Sequence, residues 1–185
     1  MTELTVISPP EGEPVSLAAV KEFLRLGTDG EDGLVARLIG AGRAQIEAAS
    51  GLALVTRTLR RRWASWPEGL TRRGVRLRPG PATALISVVR KTGSGEADTL
   101  TERFDLMGGR LRLKRAWGIP LIALDGSIEV TFETGFGLPD EVPPDLVHAL
   151  KIWVQMAYLR GSPAPLPALP DEVRAILDAR REWAI

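Results

Sequence analysis

The side chains best suited to acid–base chemistry lie around the single histidine of the chain. Asp140, Glu141 and Asp145 precede His148, and an acid three residues before a histidine lies beside it on a helix. Such a pair could transfer a proton. Acids in the first turn of a helix are also expected from the helix dipole, and this position favours a helix-start role for Asp145.

No other spacing in the sequence supplies a catalytic site. Ser50-Gly51 and Ser94-Gly95 have no base at a recognisable distance, and Gly108-Gly109 is too short to cradle a phosphate. The absence of cysteine removes thiolate nucleophiles and cysteine-ligated metals, and one histidine cannot build a histidine metal site. We therefore predict no enzyme: no catalytic residues, no cofactor and no metal.

Arginines form the second group with chemical potential. The net charge is only +1, yet residues 57–115 hold fifteen bases and five acids, whereas residues 1–50 hold eight acids and four bases. Twenty of the twenty-four bases are arginine, which suits phosphate or carboxylate recognition but also follows from a GC-rich genome. The candidates, which surround Trp63 and Trp66, are Arg57, Arg60, Arg61, Arg62, Arg72, Arg73, Arg76 and Arg78.

Two helices are predicted near the N-terminus. Ser16 is a suitable N-cap for a helix from Leu17 to Leu26, which Gly27 ends. Thr28 and Glu31 have capping-box spacing for a second helix, which stops at Gly51. Small residues between Gly40 and Ala49 would let another helix or a neighbouring subunit approach closely, and packing within the chain is the favoured interpretation.

From Leu52 onward the pattern changes to that of short strands. Alternating and β-branched residues predict a β-rich insert over residues 53–134, with a hairpin around Gly108-Gly109 and a strand from Ile128 to Glu133. The tip Thr92 to Asp98 is a candidate contact loop, or an unoccupied surface turn.

A long apolar helix over residues 144–160 opens at Pro144, is buried from several directions and precedes a proline-rich connector and a last helix from Asp171 to Trp183. The fold class is therefore α+β, with an N-terminal helix pair (16–50), the central β-rich insert, the long buried helix and a C-terminal helix. No apolar stretch is long enough for a membrane helix and no signal peptide opens the chain, so a cytoplasmic, membrane-free protein is expected.

Several segments together carry a family resemblance. The junction Gly135-Phe136-Gly137 to Val142-Pro143-Pro144 follows a strand and precedes the buried helix. The remaining segments are Val15-Ser16-Leu17-Ala18, Asp29-Gly30-Glu31-Asp32, Ala44-Gln45-Ile46-Glu47, Ser50-Gly51-Leu52-Ala53-Leu54 and Ala175-Ile176-Leu177-Asp178-Ala179-Arg180-Arg181. In this order and spacing the sequence resembles the head-tail connector (adaptor) proteins of tailed phages and of phage-derived gene transfer agents.

The resemblance implies a structural virion protein. Residues 1–162 would form the connector domain, and residues 163–185 a proline-rich connector with a C-terminal docking helix. Such subunits form a ring under the portal protein, a dodecamer by analogy, which extends the channel for the passing DNA. The ring also receives the head-completion (stopper) protein or the tail. Its location would be the head-tail interface of a phage-like particle assembled in the bacterial cytoplasm.

The resemblance also implies that the C-terminal helix docks on the portal. The candidate contacts are Val173, Ile176, Leu177, Arg180, Arg181, Trp183 and Ile185. The alternative is that this helix packs back on its own domain.

The basic candidates have two interpretations in a ring. They could contact the phosphates of DNA, with Trp63 and Trp66 stacking on bases. The favoured interpretation is inter-subunit ion pairing with the acidic first fifty residues of the next subunit, because successive strand residues face opposite sides and a tight grip on DNA would slow ejection.

A DNA-binding regulatory protein is the alternative function. It would use the N-terminal helices as a helix-turn-helix and the arginines of the middle segment as phosphate clamps. Its predicted recognition helix, Glu31 to Ser50, offers only Arg37, Arg43 and Gln45 to bases and has an acidic first turn that would repel DNA.

Overall fold

The computed structural model describes residues 2–115, 117–123, 125–161 and 167–181. The helices are α1 (Leu17–Leu24), α2 (Asp32–Ser50), α3 (Pro144–Arg160) and α4 (Asp171–Arg181). The strands are β1 (Thr2–Ser8), β2 (Arg57–Trp63), β3 (Val75–Arg76), β4 (Ala82–Lys91), β5 (Ala97–Thr99), β6 (Phe104–Met107), β7 (Arg110–Leu113) and β8 (Ser127–Thr134). The predicted α+β class is confirmed.

The described residues group into two compact units. The β unit takes those within Met1–Pro10 and Thr56–Gly135, and the helical unit takes those within Glu11–Val55 and Phe136–Ile185. The predicted boundary between residues 162 and 163 lies outside the described residues and stays a prediction.

Two antiparallel sheets build the β unit. The larger has the strand order β1-β2-β8-β4-β5 and the smaller β3-β7-β6. The central strand β8 is paired along both edges, with β2 and β4, and most of its residues are buried. Phe132 lies opposite Leu59 and Ile128 opposite Trp63. Both sheets contribute to one core: Leu59, Trp63, Leu70, Leu77, Ala82, Val88, Leu100, Phe104, Leu111, Ile128, Val130 and Phe132.

The predicted hairpin around two glycines is confirmed as the β6–β7 connection. Gly108 and Gly109 have φ values of 57° and 70°. Positive φ at both central residues is what a tight hairpin turn with the right twist requires, and glycine adopts it without steric cost.

Strand β1 is absent from the predicted elements. It pairs antiparallel with β2 and places Thr5 opposite Arg60 and Val6 opposite Leu59. A signal was present, since Leu4 and Val6 alternate with Glu3 and Thr5 ahead of a Pro-Pro pair, a pattern typical of an edge strand.

Helix α3 forms the centre of the helical unit. Its residues Leu146, Leu150, Trp153 and Val154 are fully buried, and Pro144 begins the helix as the sequence predicts. Helix α2 packs closely on it at Gly42, where an added Cβ would lie 2.7 Å from both the Leu150 side chain and the Trp153 ring. The small residues of α2 therefore serve helix packing within the chain at this point.

The two N-terminal helices begin and end differently from the prediction. Helix α1 is capped by Ser16, but it stops at Arg25 rather than Gly27, and Arg25 takes a left-handed conformation with φ 58°. Its backbone N–H and that of Leu26 bond back to helical carbonyls. The predicted capping box does not form, because Glu31 makes no side-chain cap and instead accepts a hydrogen bond from the Tyr158 hydroxyl at 2.6 Å.

None of the helices in the described part of the chain is long and apolar enough to cross a membrane.

Candidate interaction surfaces

Asp145 and His148 do not form a proton-transfer pair. The carboxylate of Asp145 accepts hydrogen bonds from Nε and Nη2 of Arg180 at 2.6 and 2.5 Å. These bonds lower the pKa of Asp145, which makes it a poor proton acceptor. The His148 ring instead meets the ring of Phe23 edge-on, with centroids 6.4 Å apart.

A recess of about 540 Å³ adjoins His148 in the helical unit, and Ser16, Asp140 and Lys151 contribute to its lining. The Ser16 hydroxyl accepts the N–H of Ala19 as a helix cap, and the Lys151 ammonium lies 5.8 Å from the centre of the Phe23 ring. Among the described residues no group of His, Asp and Glu could hold a metal ion.

Helix α4 packs on its own unit, against α2 and α3. Val173 and Leu177 are buried in the helical core, and Ile176 is partly buried against it. Arg180 binds Asp145 and lies 5.8 Å from the centre of the Phe136 ring. Trp183 and Ile185 lie outside the described residues, as does the side chain of Arg181. Docking of this segment on a portal stays a prediction.

The basic candidates separate into two groups, and the first lies on β2. Arg60 approaches Glu129 at 3.7 Å, and Arg61 donates to the backbone oxygen of Arg78 at 2.5 Å. Burial, and secondly the charge of Arg78, lowers the pKa of Arg61. Arg57 is half-buried and Arg62 is exposed on the opposite face from Arg61. Two arginines of this group, Arg60 and Arg61, therefore already have partners within the β unit.

The second group lies beside the small sheet. Arg76 on β3 stands opposite Arg110 on β7, so the pairing joins two basic segments that are distant in sequence. A recess of about 530 Å³ results, and we call it the basic recess. It is lined by Leu70, Thr71, Arg72, Arg73, Gly74, Asp105, Met107, Arg110, Arg112, Leu113, Lys114 and Arg115.

Four cations of this recess were not among the sequence candidates: Arg110, Arg112, Lys114 and Arg115. The alternation of Arg110, Arg112 and Lys114 along a strand was visible in the sequence. Their proximity to Arg72 and Arg73 was not visible, because it depends on the pairing of β3 with β7.

The acids proposed to complement the basic candidates are largely engaged within the helical unit. Arg43 binds Glu13 at 2.7 Å and Glu47 at 3.3 Å. Lys21 binds Asp29 at 2.5 Å and Asp32 at 2.6 Å, and these hydrogen bonds raise the pKa of Lys21. With the Glu31–Tyr158 hydrogen bond, five of the eight acids in residues 1–50 have intramolecular partners.

The tip between β4 and β5 is an ordered turn. The backbone N–H groups of Thr92 and Gly95 donate to Glu96 and Thr92 oxygens at 2.9 and 3.0 Å. Residues 93–99 are exposed. The geometry is that of a surface turn, and a contact role for it stays a prediction.

No protein-family model and no curated protein sequence matches this chain significantly. Solved structures do match its fold. A chain in the neck of an empty gene transfer agent (GTA) particle, computed with C6 symmetry, superposes with a TM-score of 0.80 at 24% identity, covering 97% of this chain and 95% of the other.

Two further structures agree. A chain in the virion of a native gene transfer agent particle has a TM-score of 0.79 at 24% identity, over 96% of this chain and 94% of the other. A chain in the neck of a native GTA particle, computed with C12 symmetry, has a TM-score of 0.72 at 20% identity, over 97% and 94%. The resemblance is thus confirmed for the fold along almost the whole chain.

Proposed function

We propose that this chain is a head-tail adaptor subunit of a phage-like particle, either a phage or a gene transfer agent. It assembles under the portal, extends the DNA channel and receives the stopper or tail protein. The observation that carries the proposal is the fold shared, over 97% of this chain, with a chain in a GTA particle neck. The role is structural and requires no catalysis.

The subunits act together as a ring. The neck particles with matching chains were computed with C6 and C12 symmetry, and a dodecamer satisfies both. A ring of identical subunits needs a head-to-tail interface that closes on itself, so each subunit contributes two different surfaces.

The portal contact belongs to α4 and the residues that follow it. Val173 and Leu177 are buried, so they could reach a portal only if α4 left its unit. Among the described side chains of the packed helix, the accessible candidates are the half-buried Ile176 and Arg180. Arg181, Trp183 and Ile185, whose side chains lie outside the described part, stay candidates.

The adaptor proposal is tested by mixing the purified protein with the portal encoded near its gene. We expect a stoichiometric complex by size exclusion with light scattering, and a ring stacked on one end of the portal in negative-stain images. Failure to associate, together with binding to one preferred duplex sequence, would overturn the proposal in favour of a DNA-binding regulator.

The docking segment needs a milder change than deletion of residues 171–185, because that deletion would uncover the core under Val173 and Leu177. Trp183→Ala with Ile185→Ala leaves Val173 and Leu177 in place. We expect this variant to lose portal binding while keeping wild-type helix content by circular dichroism. Arg174→Ala, on the exposed flank of α4, is the matched control. Equal portal binding by both variants would exclude Trp183 and Ile185 as docking residues.

A further inference from the structure

The basic recess concentrates positive charge on one side of the β unit. Its cations are Arg72, Arg73, Arg110, Arg112, Lys114 and Arg115, and among the described residues that line it Asp105 is the one acid. None of the six forms an ion pair with any acid in the described ranges, in contrast to Arg60 and Lys91 on the large sheet, which both meet Glu129. The recess thus carries an uncompensated charge.

Several of these cations are held in place by neutral acceptors. Lys114 Nζ donates to the backbone oxygen of Glu102 at 2.7 Å, and Arg110 Nη1 to that of Gly74 at 3.4 Å. Arg112 Nη1 lies 3.2 Å from the sulfur of Met107. Such contacts orient the side chains but leave their charge available to an external anion.

The positive charge of the recess also affects Arg76 on strand β3, which pairs with β7. Burial is the main cause that lowers the pKa of Arg76, and the charges of Arg110 and Arg78 lower it further. The recess cation Arg110 therefore lies close to a second positive charge, that of Arg76 opposite it in the sheet.

We propose that the basic recess binds the phosphate backbone of double-stranded DNA, independently of base sequence. Two features favour a nucleic acid over a protein partner. The lining holds six cations and one acid, and protein–DNA interfaces are much more positively charged than protein–protein interfaces. Of the eight acids in residues 1–50, four are engaged by Arg43 and Lys21 and a fifth, Glu31, by Tyr158, so few of them remain to complement the recess in a neighbouring subunit.

The choice of DNA over other polyanions rests on the proposed function, in which DNA passes the subunit. Most of the six cations are exposed, so each phosphate contact is screened by salt and exchanges readily. A ring would repeat this weak contact once per subunit, which retains DNA without gripping it at any single point.

The test measures binding of the full chain to a short labelled duplex by fluorescence anisotropy, from about 50 to about 200 mM salt. The variant is Arg112→Gln, Lys114→Gln and Arg115→Gln, whose side chains are all exposed. The control removes three exposed cations of the helical unit: Arg37→Gln, Arg160→Gln and Arg174→Gln. A second duplex of unrelated sequence tests sequence independence.

We expect the recess variant to bind DNA about tenfold more weakly or worse, and its log–log salt slope to fall by about 2.7 for three lost phosphate contacts. The control should retain wild-type affinity, and both duplexes should bind equally. The variant Arg112→Lys with Arg115→Lys keeps both positive charges and should retain most of the affinity for DNA. If this variant instead lost its affinity, the shape of the arginine side chains rather than their charge would determine binding, and the proposal would be overturned.

Equal losses in the recess variant and the control would also overturn it, as would preference for one duplex. Competition by polyglutamate as effective as competition by unlabelled DNA would assign the recess to an acidic protein instead. Ring formation on the portal, measured separately without DNA, reports on the adaptor proposal, so the two can fail independently.

Discussion

Close packing at the residue scale is clearest at Gly42. Here α2 approaches α3 so closely that no side chain fits, because a Cβ would fall 2.7 Å from Leu150 Cδ1 and from Trp153 Cε3. Both of these neighbours are fully buried, and close-packed interiors leave little room for a side chain to shift.

We therefore expect Gly42→Ala to lower the free energy of unfolding by about 1–3 kcal/mol, despite the higher helix propensity of alanine. Gly40→Ala in the same helix is the control, since its Cβ would lie 3.6 Å from the Glu13 carboxylate, an ordinary contact. It should be neutral or stabilise the protein by up to about 1 kcal/mol. Urea unfolding followed by circular dichroism measures both, and a Gly42→Ala protein as stable as wild type would refute the tight contact.

At the scale of a single element, two kinds of contact hold the short helix α4 on the helical unit. Val173 and Leu177 supply the apolar contact, and the two hydrogen bonds from Arg180 to Asp145 fix its register. The ion pair is partly exposed, with side-chain exposures of 32% and 41%, so solvent screens it and its coupling energy should be at most about 1 kcal/mol.

We expect Asp145→Asn to increase hydrogen exchange over residues 171–181 while leaving exchange in the rest of α3 nearly unchanged. Because Arg180 lowers the pKa of Asp145, the stabilisation is present above the ordinary value of 3.8 and is lost as the pH falls below it. In the wild-type protein, α4 should accordingly lose protection against hydrogen exchange as the pH falls below this value. The Asp145→Asn variant should not show this pH-dependent loss. Arg174→Gln, whose partner Asp171 is fully exposed, is the control. Protection factors over residues 171–181 that change neither with the Asp145 substitution nor with pH would mean that the apolar contacts alone hold the helix.

Local sequence signals predicted most elements, and non-local contacts account for what they missed. The Gly108-Gly109 turn and the stop at Gly51 follow from the preference of glycine for positive φ. The end of α1 at Arg25 has no such signal, because a left-handed arginine depends on the hydrogen bonds around it. The basic recess was predicted only in part, since the pairing of β3 with β7 assembles it from two distant segments.

At the scale of the whole molecule, charge is divided between the two units in different ways. In the helical unit several acids are paired with bases, four of them with Arg43 and Lys21 and one with Arg180. In the β unit the basic recess retains its charge. Several large apolar side chains are exposed, among them Leu4, Val6, Ile86 and Leu138, and in the proposed ring these would supply contacts between subunits.

This division predicts that salt affects DNA binding and ring assembly differently in the same protein. Ion pairs between subunits would weaken as salt screens them, whereas apolar contacts would persist. With five of the eight N-terminal acids already engaged, we expect the ring on the portal to survive a change from about 50 to about 500 mM salt, while DNA binding by the same sample is lost. Light scattering of the complex and anisotropy of labelled duplex follow the two in parallel. A ring that dissociates in salt would instead establish inter-subunit pairing by basic residues such as the exposed Arg62, and Arg62→Glu should then prevent assembly even at low salt.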